Sequence, residues 1–161
     1  MHAVIRAAIT FCLFLLLAGC VTTAVESQNK IQDPRQARMY FLREKGITGL
    51  AMAPDIVING QKVGSVANGS FIFVDRPPGQ YTITVEQSLE PGRFVADVRV
   101  NSGATYYFEI GVNIINGRGV LLPKLAGNVG TSIDSRENTG GYRLNTLDAA
   151  TGAQIIAQLK S

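Results

Sequence analysis

The chain has 161 residues, two cysteines, one histidine and no tryptophan, and this length fits one domain. The pattern below predicts that residues 1–19 are cleaved, which leaves 142 of the 161 residues, with no histidine and one cysteine. Because Arg6 leaves with the leader, 14 basic and 12 acidic residues remain, a net charge of +2. This composition excludes histidine-based triads, Cys/His zinc sites and an internal disulfide, and it shows no basic footprint for nucleic acid.

The first 19 residues have the organisation of an export signal. Arg6 lies in a short basic region, and an apolar run of about 11 residues follows at 7–17, too short to span a bilayer. The run ends in Leu17, Ala18, Gly19 and Cys20. This ending resembles the processing box of bacterial lipoproteins, so we expect the leader to be cleaved before Cys20.

The resemblance to bacterial lipoproteins implies a permanent membrane anchor. It implies that the Cys20 thiol is linked to diacylglycerol and that the new amino group is acylated with a fatty acid such as palmitate. Each buried CH₂ contributes about 0.8 kcal/mol, so three acyl chains would hold the protein on the membrane. The next residue is Val21 rather than Asp, which in such lipoproteins implies the outer membrane, facing the periplasm. The sequence does not indicate which leaflet of that membrane carries the anchor.

Residues 20–36 are expected to be the lipidated cysteine and a flexible tether. The 16 residues after Cys20 are polar and lack periodicity. As a coil they would span roughly 20–25 Å, which would let the domain at 37–161 stand off the membrane.

The domain is predicted to be all-β. From residue 38 onward the hydrophobic period is two, and strands are predicted at 38–43, 55–58, 61–66, 70–75, 80–86, 93–100 and 104–112. Three Asn-Gly pairs, beginning at Asn59, Asn68 and Asn116, can each form a type I′ turn. For residues 70–75 both registers are acceptable, as they would be in a strand buried on both sides.

The middle strands allow a test of register. Pairing 80–86 with 93–100 places Ile83 opposite Ala96, and pairing 93–100 with 104–112 across 101–103 places Ala96 opposite Phe108. One apolar face then continues through three antiparallel strands without a slip. The opposite face is polar and includes Asp97, Arg99, Tyr107 and Glu109.

The pattern weakens after residue 112. Residues 114–122 are predicted to form a hairpin, and the Gly- and Asn-rich stretch 123–141 is predicted to be a loop, either functional or simply mobile. A last strand at 142–147, a turn at 151–152 and a short helix or edge strand at 153–160 follow. Seven or eight short strands indicate a single antiparallel β-sandwich domain with at most a short C-terminal helix.

Residues 38–86 resemble a family of bacterial lipoproteins that carry a domain of unknown function. The matching segments are 37–43, 58–64, 68–71 and 78–83. Their order, N-G-x-x-V-G followed by P-G-x-Y-x-x-x-V, is similar to PEGA-type and carboxypeptidase-regulatory-like modules. The resemblance implies a small accessory β-sandwich without enzymatic activity, and it transfers no catalytic residue.

A candidate carboxylate pair consists of Asp97 and Glu109. It requires that both lie on one face of the sheet, with Tyr107 between them. A glycosidase needs such carboxylates at roughly 5 or 6.5–9.5 Å, but ordinary solvated charge on a sheet is the favoured interpretation. We therefore predict no catalytic residue, no metal and no cofactor. The candidate contact surface consists of Tyr107, Glu109, Asp97, Arg99, Lys124 and Asn128.

Two functions remain open. The preferred one is a lipid-anchored, non-enzymatic β-sandwich that contacts the membrane through its anchor and binds another envelope protein or a glycan. The alternative is an envelope hydrolase that acts on glycan or peptidoglycan through carboxylates. A cleft with two carboxylates would favour the hydrolase, and a flat polar face with an exposed strand edge would favour the binding protein.

Overall fold

The computed structural model describes residues 28–46, 52–87, 92–112, 131–133 and 135–160. These residues form ten strands and one C-terminal helix. The strands are β1 Ala37–Arg43, β2 Asp55–Ile58, β3 Gln61–Ser65, β4 Ser70–Arg76, β5 Gly79–Glu86, β6 Arg93–Val100, β7 Thr105–Val112, β8 Thr131–Ser132, β9 Glu137–Asn138 and β10 Tyr142–Leu147, and helix α1 spans Ala149–Lys160. Within these ranges no helix has the length and apolar composition needed to cross a membrane.

The strands form two five-stranded sheets that pack face to face. Sheet A has the order β4-β1-β7-β10-β8, and sheet B has the order β3-β2-β5-β6-β9. Every pairing is antiparallel except β1 with β7, which is parallel. The inward faces bury one core whose largest side chains include Phe41, Phe94 and Phe108. The predicted all-β sandwich is confirmed.

The hairpin between β2 and β3 forms where the first Asn-Gly pair predicts it. Asn59 and Gly60 have φ angles of 49° and 80°, which is the type I′ turn that matches the twist of the flanking strands. The second pair differs, because only Gly69 has a positive φ there. The Asn68 side chain instead exchanges two hydrogen bonds with the backbone of Gly46. The third pair, at Asn116, lies outside the described residues.

The predicted register of β5 with β6 is confirmed, with Ile83 opposite Ala96 and Glu86 opposite Arg93. The predicted pairing of β6 with β7 is wrong. Residues 101–103 carry the chain from sheet B to sheet A, where β7 lies between β1 and β10. Ala96 and Phe108 still enter the same core from opposite sheets, because alternation specifies the buried face of a strand and leaves its neighbour undefined.

Strand β4 is buried on both faces, which explains why either register was acceptable. Ile72 and Val74 belong to the main core. Phe71 packs on the other face in a second cluster with α1, and Phe73 is 4% exposed.

The described residues after position 130 are more regular than the sequence predicts. Within the predicted loop, β8 joins β10 in sheet A and β9 joins β6 in sheet B. Residues 113–130, with the predicted hairpin at 114–122, lie outside the described residues. The last strand is confirmed as β10.

Helix α1 begins earlier than predicted and includes Thr151 and Gly152, so the turn expected there is wrong. The reason is Asp148, whose carboxylate accepts hydrogen bonds from the Thr151 backbone N–H and hydroxyl at 3.0 and 2.6 Å. An Asp at this position caps the first helical turn.

Candidate functional site

Helix α1 covers one end of the outer face of sheet A. Ile155 and Ile156 of the helix pack against Leu42 of β1 in a second buried cluster. Gly152 lies so close to Tyr107 that an added Cβ would overlap the ring. Burial raises the pKa of the Tyr107 phenol above its ordinary value. Tyr107, predicted as a contact residue, is thus partly buried in a structural interface.

Residues 28–36, which we call the strap, cover the other end of the same face. The Gln28 amide donates to Phe73 O at 3.0 Å and accepts from Phe73 N at 2.7 Å, so it pairs with β4 like a neighbouring strand. Further along, the Gln32 amide oxygen accepts a hydrogen bond from the Thr105 hydroxyl at 3.2 Å. The prediction of a flexible tether is therefore wrong for residues 28–36, which lie on the sandwich.

A buried ion pair joins the strap to the sheet. Arg38 Nε and Nη2 donate to Asp75 Oδ1 and Oδ2 at 2.8 and 2.9 Å, and these hydrogen bonds raise the pKa of the guanidinium. Arg38 also donates to Lys30 O at 2.7 Å and lies 4.0 Å from the centre of the Phe73 ring. Because every part of this cluster is engaged in packing, we interpret it as structural.

The outer face of sheet B carries the candidate site. Helix α1 packs on β4 and β7 of sheet A, so in the described part of the chain no helix lies over sheet B. Its outward side chains are mostly polar, and we call this surface the polar face: Thr82, Thr84, Arg93, Asp97, Arg99, Arg136 and Glu137.

Two exposed ion pairs organise the polar face. Arg136 Nε is 3.2 Å from Asp97 Oδ2, and Arg93 Nε is 3.0 Å from Glu137 Oε2. The Thr82 hydroxyl donates to Asp97 Oδ1 at 2.7 Å. The Arg93 and Arg136 side chains keep 54% and 58% of their surface exposed. Exposed ion pairs contribute little to stability, so these groups can exchange their present partners for those of a ligand.

The polar face has two shallow depressions of about 370 and 330 Å³. Both are lined by Arg93 and Glu137, the first together with Glu86 and Thr139 and the second together with Thr84 and Val95. Such a surface offers guanidinium and hydroxyl donors next to carboxylate acceptors. It is suited to a polar partner that lies flat on it.

Residues 33–119 match the profile of a protein family of unknown function, DUF2846. The match covers more than half of the 161 residues. The chain belongs to the DUF2846 family. No curated protein and no solved structure matches it. The DUF2846 match contains the stretch 38–86, so the expected domain of unknown function is confirmed, and it extends from the strap through β7.

The DUF2846 fold separates the predicted carboxylate pair. Asp97 lies on the polar face, whereas Glu109 lies on the outer face of sheet A, where Asn145 Nδ2 donates to it at 3.4 Å. Packed sheets are about 10 Å apart and both side chains point outward, beyond the roughly 6.5–9.5 Å that an inverting pair requires. The expectation that they share one face is wrong.

The other predicted site residues divide between the two sides of the sandwich. Arg99 lies with Asp97 on the polar face, and Tyr107 lies with Glu109 on sheet A. Lys124 and Asn128 lie outside the described residues, as do the four residues of the processing box, Leu17, Ala18, Gly19 and Cys20.

Sequence reasoning missed Arg136 and Glu137, which complete the polar face. Both occur in the Gly- and Asn-rich stretch that predicts a loop, where a charged pair carries no periodicity. Their position depends on the backbone of β6, because Arg136 N donates to Val95 O at 2.8 Å. The described residues contain no group of three or more His, Cys, Asp or Glu side chains that could hold a metal ion.

Proposed function

We propose that this DUF2846 protein is a lipid-anchored component of the bacterial cell envelope whose β-sandwich binds another envelope component without catalysing a reaction. The observation that carries the proposal is the apolar leader that ends in Leu17, Ala18, Gly19 and Cys20. Lipid attached to Cys20 would place the domain at the membrane, and Val21 favours the outer membrane, with the domain in the periplasm.

The polar face supports the binding role. It is broad, partly exposed and rich in groups that hydrogen-bond, and it lies on the side of the sandwich opposite α1 and the strap. The resemblance of the two sequence motifs at residues 59–64 and 78–85 to those of PEGA-type and carboxypeptidase-regulatory-like modules would fit an accessory role for the domain. A polar surface of this kind fits a protein or a glycan of the envelope, and the proposal requires no cofactor.

The alternative hydrolase has no supporting observation among the described residues. It was based on Asp97 and Glu109, and these two carboxylates lie on opposite outer faces. The binding function is therefore the one that the geometry supports best.

The anchor is tested by replacing the cysteine of the processing box. We expect Cys20→Ser to accumulate as an unlipidated precursor that retains residues 1–19, because no thiol is available for the diacylglyceryl group. Intact mass and partitioning into detergent measure both properties. Cys12→Ser, which changes the other cysteine of the chain, is the matched control and should be lipidated and cleaved normally. Normal processing of Cys20→Ser would reject the anchor.

The binding surface is tested by crosslinking in intact cells, followed by purification of the lipidated protein and mass spectrometry. We expect Arg93→Glu and Arg136→Glu each to reduce the yield of the crosslinked partner severalfold. Arg143→Glu changes an exposed arginine on sheet A and should leave the yield unchanged. Equal yields from all three variants would exclude the polar face as the contact surface.

A further inference from the structure

We propose that the strap rests on the membrane surface with Ile31 inserted among the lipid headgroups, so that sheet A faces the bilayer and the polar face is directed away from it. This inference rests on the proposed lipid anchor at Cys20. The occupant of the strap surface is the lipid bilayer that holds the anchor.

The first argument is the length of chain between the anchor and the sandwich. Seven residues, 21–27, separate Cys20 from Gln28, and Gln28 is paired with the backbone of Phe73. A polypeptide of this length reaches at most roughly 26–29 Å. A domain of this size is roughly 35 Å across. Gln28, where the strap begins, therefore stays within roughly 29 Å of the membrane, a distance shorter than the width of the domain.

The second argument is the exposure of Ile31. Its surface is 91% exposed, which sets it apart from the other large hydrophobic residues in the described ranges. The chain is held on both sides of it, since Lys30 O accepts from Arg38 and the Gln32 side chain accepts from the Thr105 hydroxyl of β7. A single exposed apolar side chain is common on soluble proteins. This one occurs eleven residues after the proposed anchor, on a segment that the sandwich holds in place.

The neighbouring residues of the strap suit an interfacial position. Lys30 and Arg35 keep 49% and 88% of their side-chain surface exposed, and long cationic side chains can lie along apolar surface while their charges stay in the headgroup layer. Lys30 is 3.8 Å from Asp75, and Arg35 is 3.1 Å from Asp33. Because acidic neighbours offset these charges, contact of the strap with the membrane should depend on the lipid anchor and on Ile31 more than on anionic lipids.

The path of the strap determines the orientation of the domain. From Gln28 at the edge of β4 it crosses Arg38 of β1 on the outer face of sheet A and reaches Thr105 of β7. With the strap against the bilayer, sheet B lies on the far side of the sandwich. The polar face then points into the compartment where an envelope partner can reach it.

The absence of tryptophan from the chain allows a single fluorescent reporter to test the orientation. Full-length Ile31→Trp protein is purified with its lipid from membranes and placed in phosphatidylcholine vesicles with or without brominated acyl chains. We expect bromine to reduce its fluorescence about twofold or more, with emission at shorter wavelength, because the indole reaches the acyl boundary. Gln61→Trp, at an exposed position of β3 in sheet B, is the control and should keep its intensity.

The intact mass of the same samples separates the two proposals. If the lipidated Ile31→Trp protein is unquenched, or is quenched no more than Gln61→Trp, the contact of the strap with the membrane is rejected. The proposed anchor is then unaffected. A mass without acyl chains overturns the anchor and, with it, this inference. Selective quenching of the lipidated Ile31→Trp protein supports both.

Discussion

At the residue scale, Asn59 combines a backbone role with a side-chain role. Its φ of 49° is left-handed, and its side-chain oxygen accepts a hydrogen bond from Thr82 N at 2.9 Å. Gly adopts this φ without strain and Asn tolerates it, whereas Ala loses about 1–2 kcal/mol there. The two substitutions Asn59→Gly and Asn59→Ala therefore separate the roles.

We expect Asn59→Gly to lower the free energy of unfolding by about 1 kcal/mol, the usual net contribution of a hydrogen bond. Asn59→Ala should cost about 1–2 kcal/mol more, because it also forces Ala into the left-handed region. Urea unfolding measures both variants. Equal losses would show that Ala adopts the left-handed φ there as readily as Gly and that the hydrogen bond alone matters.

Breaking the buried ion pair of Arg38 and Asp75 is predicted to have a larger effect on the free energy of unfolding. Asp75→Ala leaves the guanidinium of Arg38, which is 8% exposed, without its bidentate carboxylate. Breaking a buried pair in this way costs about 3–5 kcal/mol. The double variant Asp75→Ala with Arg38→Met should lose less than Asp75→Ala alone, because no buried charge is left unpaired. A double variant that is less stable than Asp75→Ala would contradict this account.

At the element scale, α1 shows tertiary packing overriding helix propensity. Ala is a better helix former than Gly by about 1 kcal/mol, yet the Gly152 position faces the Tyr107 ring with no room for a Cβ. We expect Gly152→Ala to destabilise the protein by about 1–3 kcal/mol through overpacking. Gln154→Ala, at an exposed position of the same helix, should be neutral or slightly stabilising. Thermal unfolding compares them, and a stabilised Gly152→Ala protein would show that α1 does not pack tightly on Tyr107.

The strands show how far periodicity carries a prediction. Period-two alternation and the Asn59-Gly60 turn were sufficient for the β2–β3 hairpin and for the β5–β6 register. The same alternation wrongly predicted that β7 pairs with β6, because the inward side chains of both sheets enter one core. Short edge strands such as β9 depend on a neighbouring backbone more than on their own side chains, so the sequence shows no pattern for them.

At the scale of the whole molecule, the two sides of the sandwich differ. Sheet A is covered by α1 and the strap, and sheet B presents the polar face. Asp97 and Glu109 therefore belong to separate surfaces, where Thr82 donates a hydrogen bond to Asp97 and Asn145 donates one to Glu109.

This separation predicts that Asp97→Asn and Glu109→Gln have additive effects on the free energy of unfolding, within about 0.3–0.5 kcal/mol. Urea unfolding of the two single variants and the double variant measures the coupling. The pair Asp97→Asn with Arg136→Gln is the positive control, since these side chains are 3.2 Å apart. A coupling between Asp97 and Glu109 as large as that of the control would place the two carboxylates together and revive the hydrolase hypothesis.

The sequence by itself determined the all-β class, most strand positions and which faces of β5, β6 and β7 are buried, because these follow from local periodicity and turn chemistry. It also contains the pattern Leu17, Ala18, Gly19 and Cys20 on which the proposed anchor rests. Only the tertiary structure decided that β7 crosses to sheet A, that the strap and α1 cover that sheet, and that Arg136 and Glu137 join Asp97 on the polar face. Those features depend on contacts between residues far apart in the chain, and local patterns do not specify which distant backbone a strand or strap will meet.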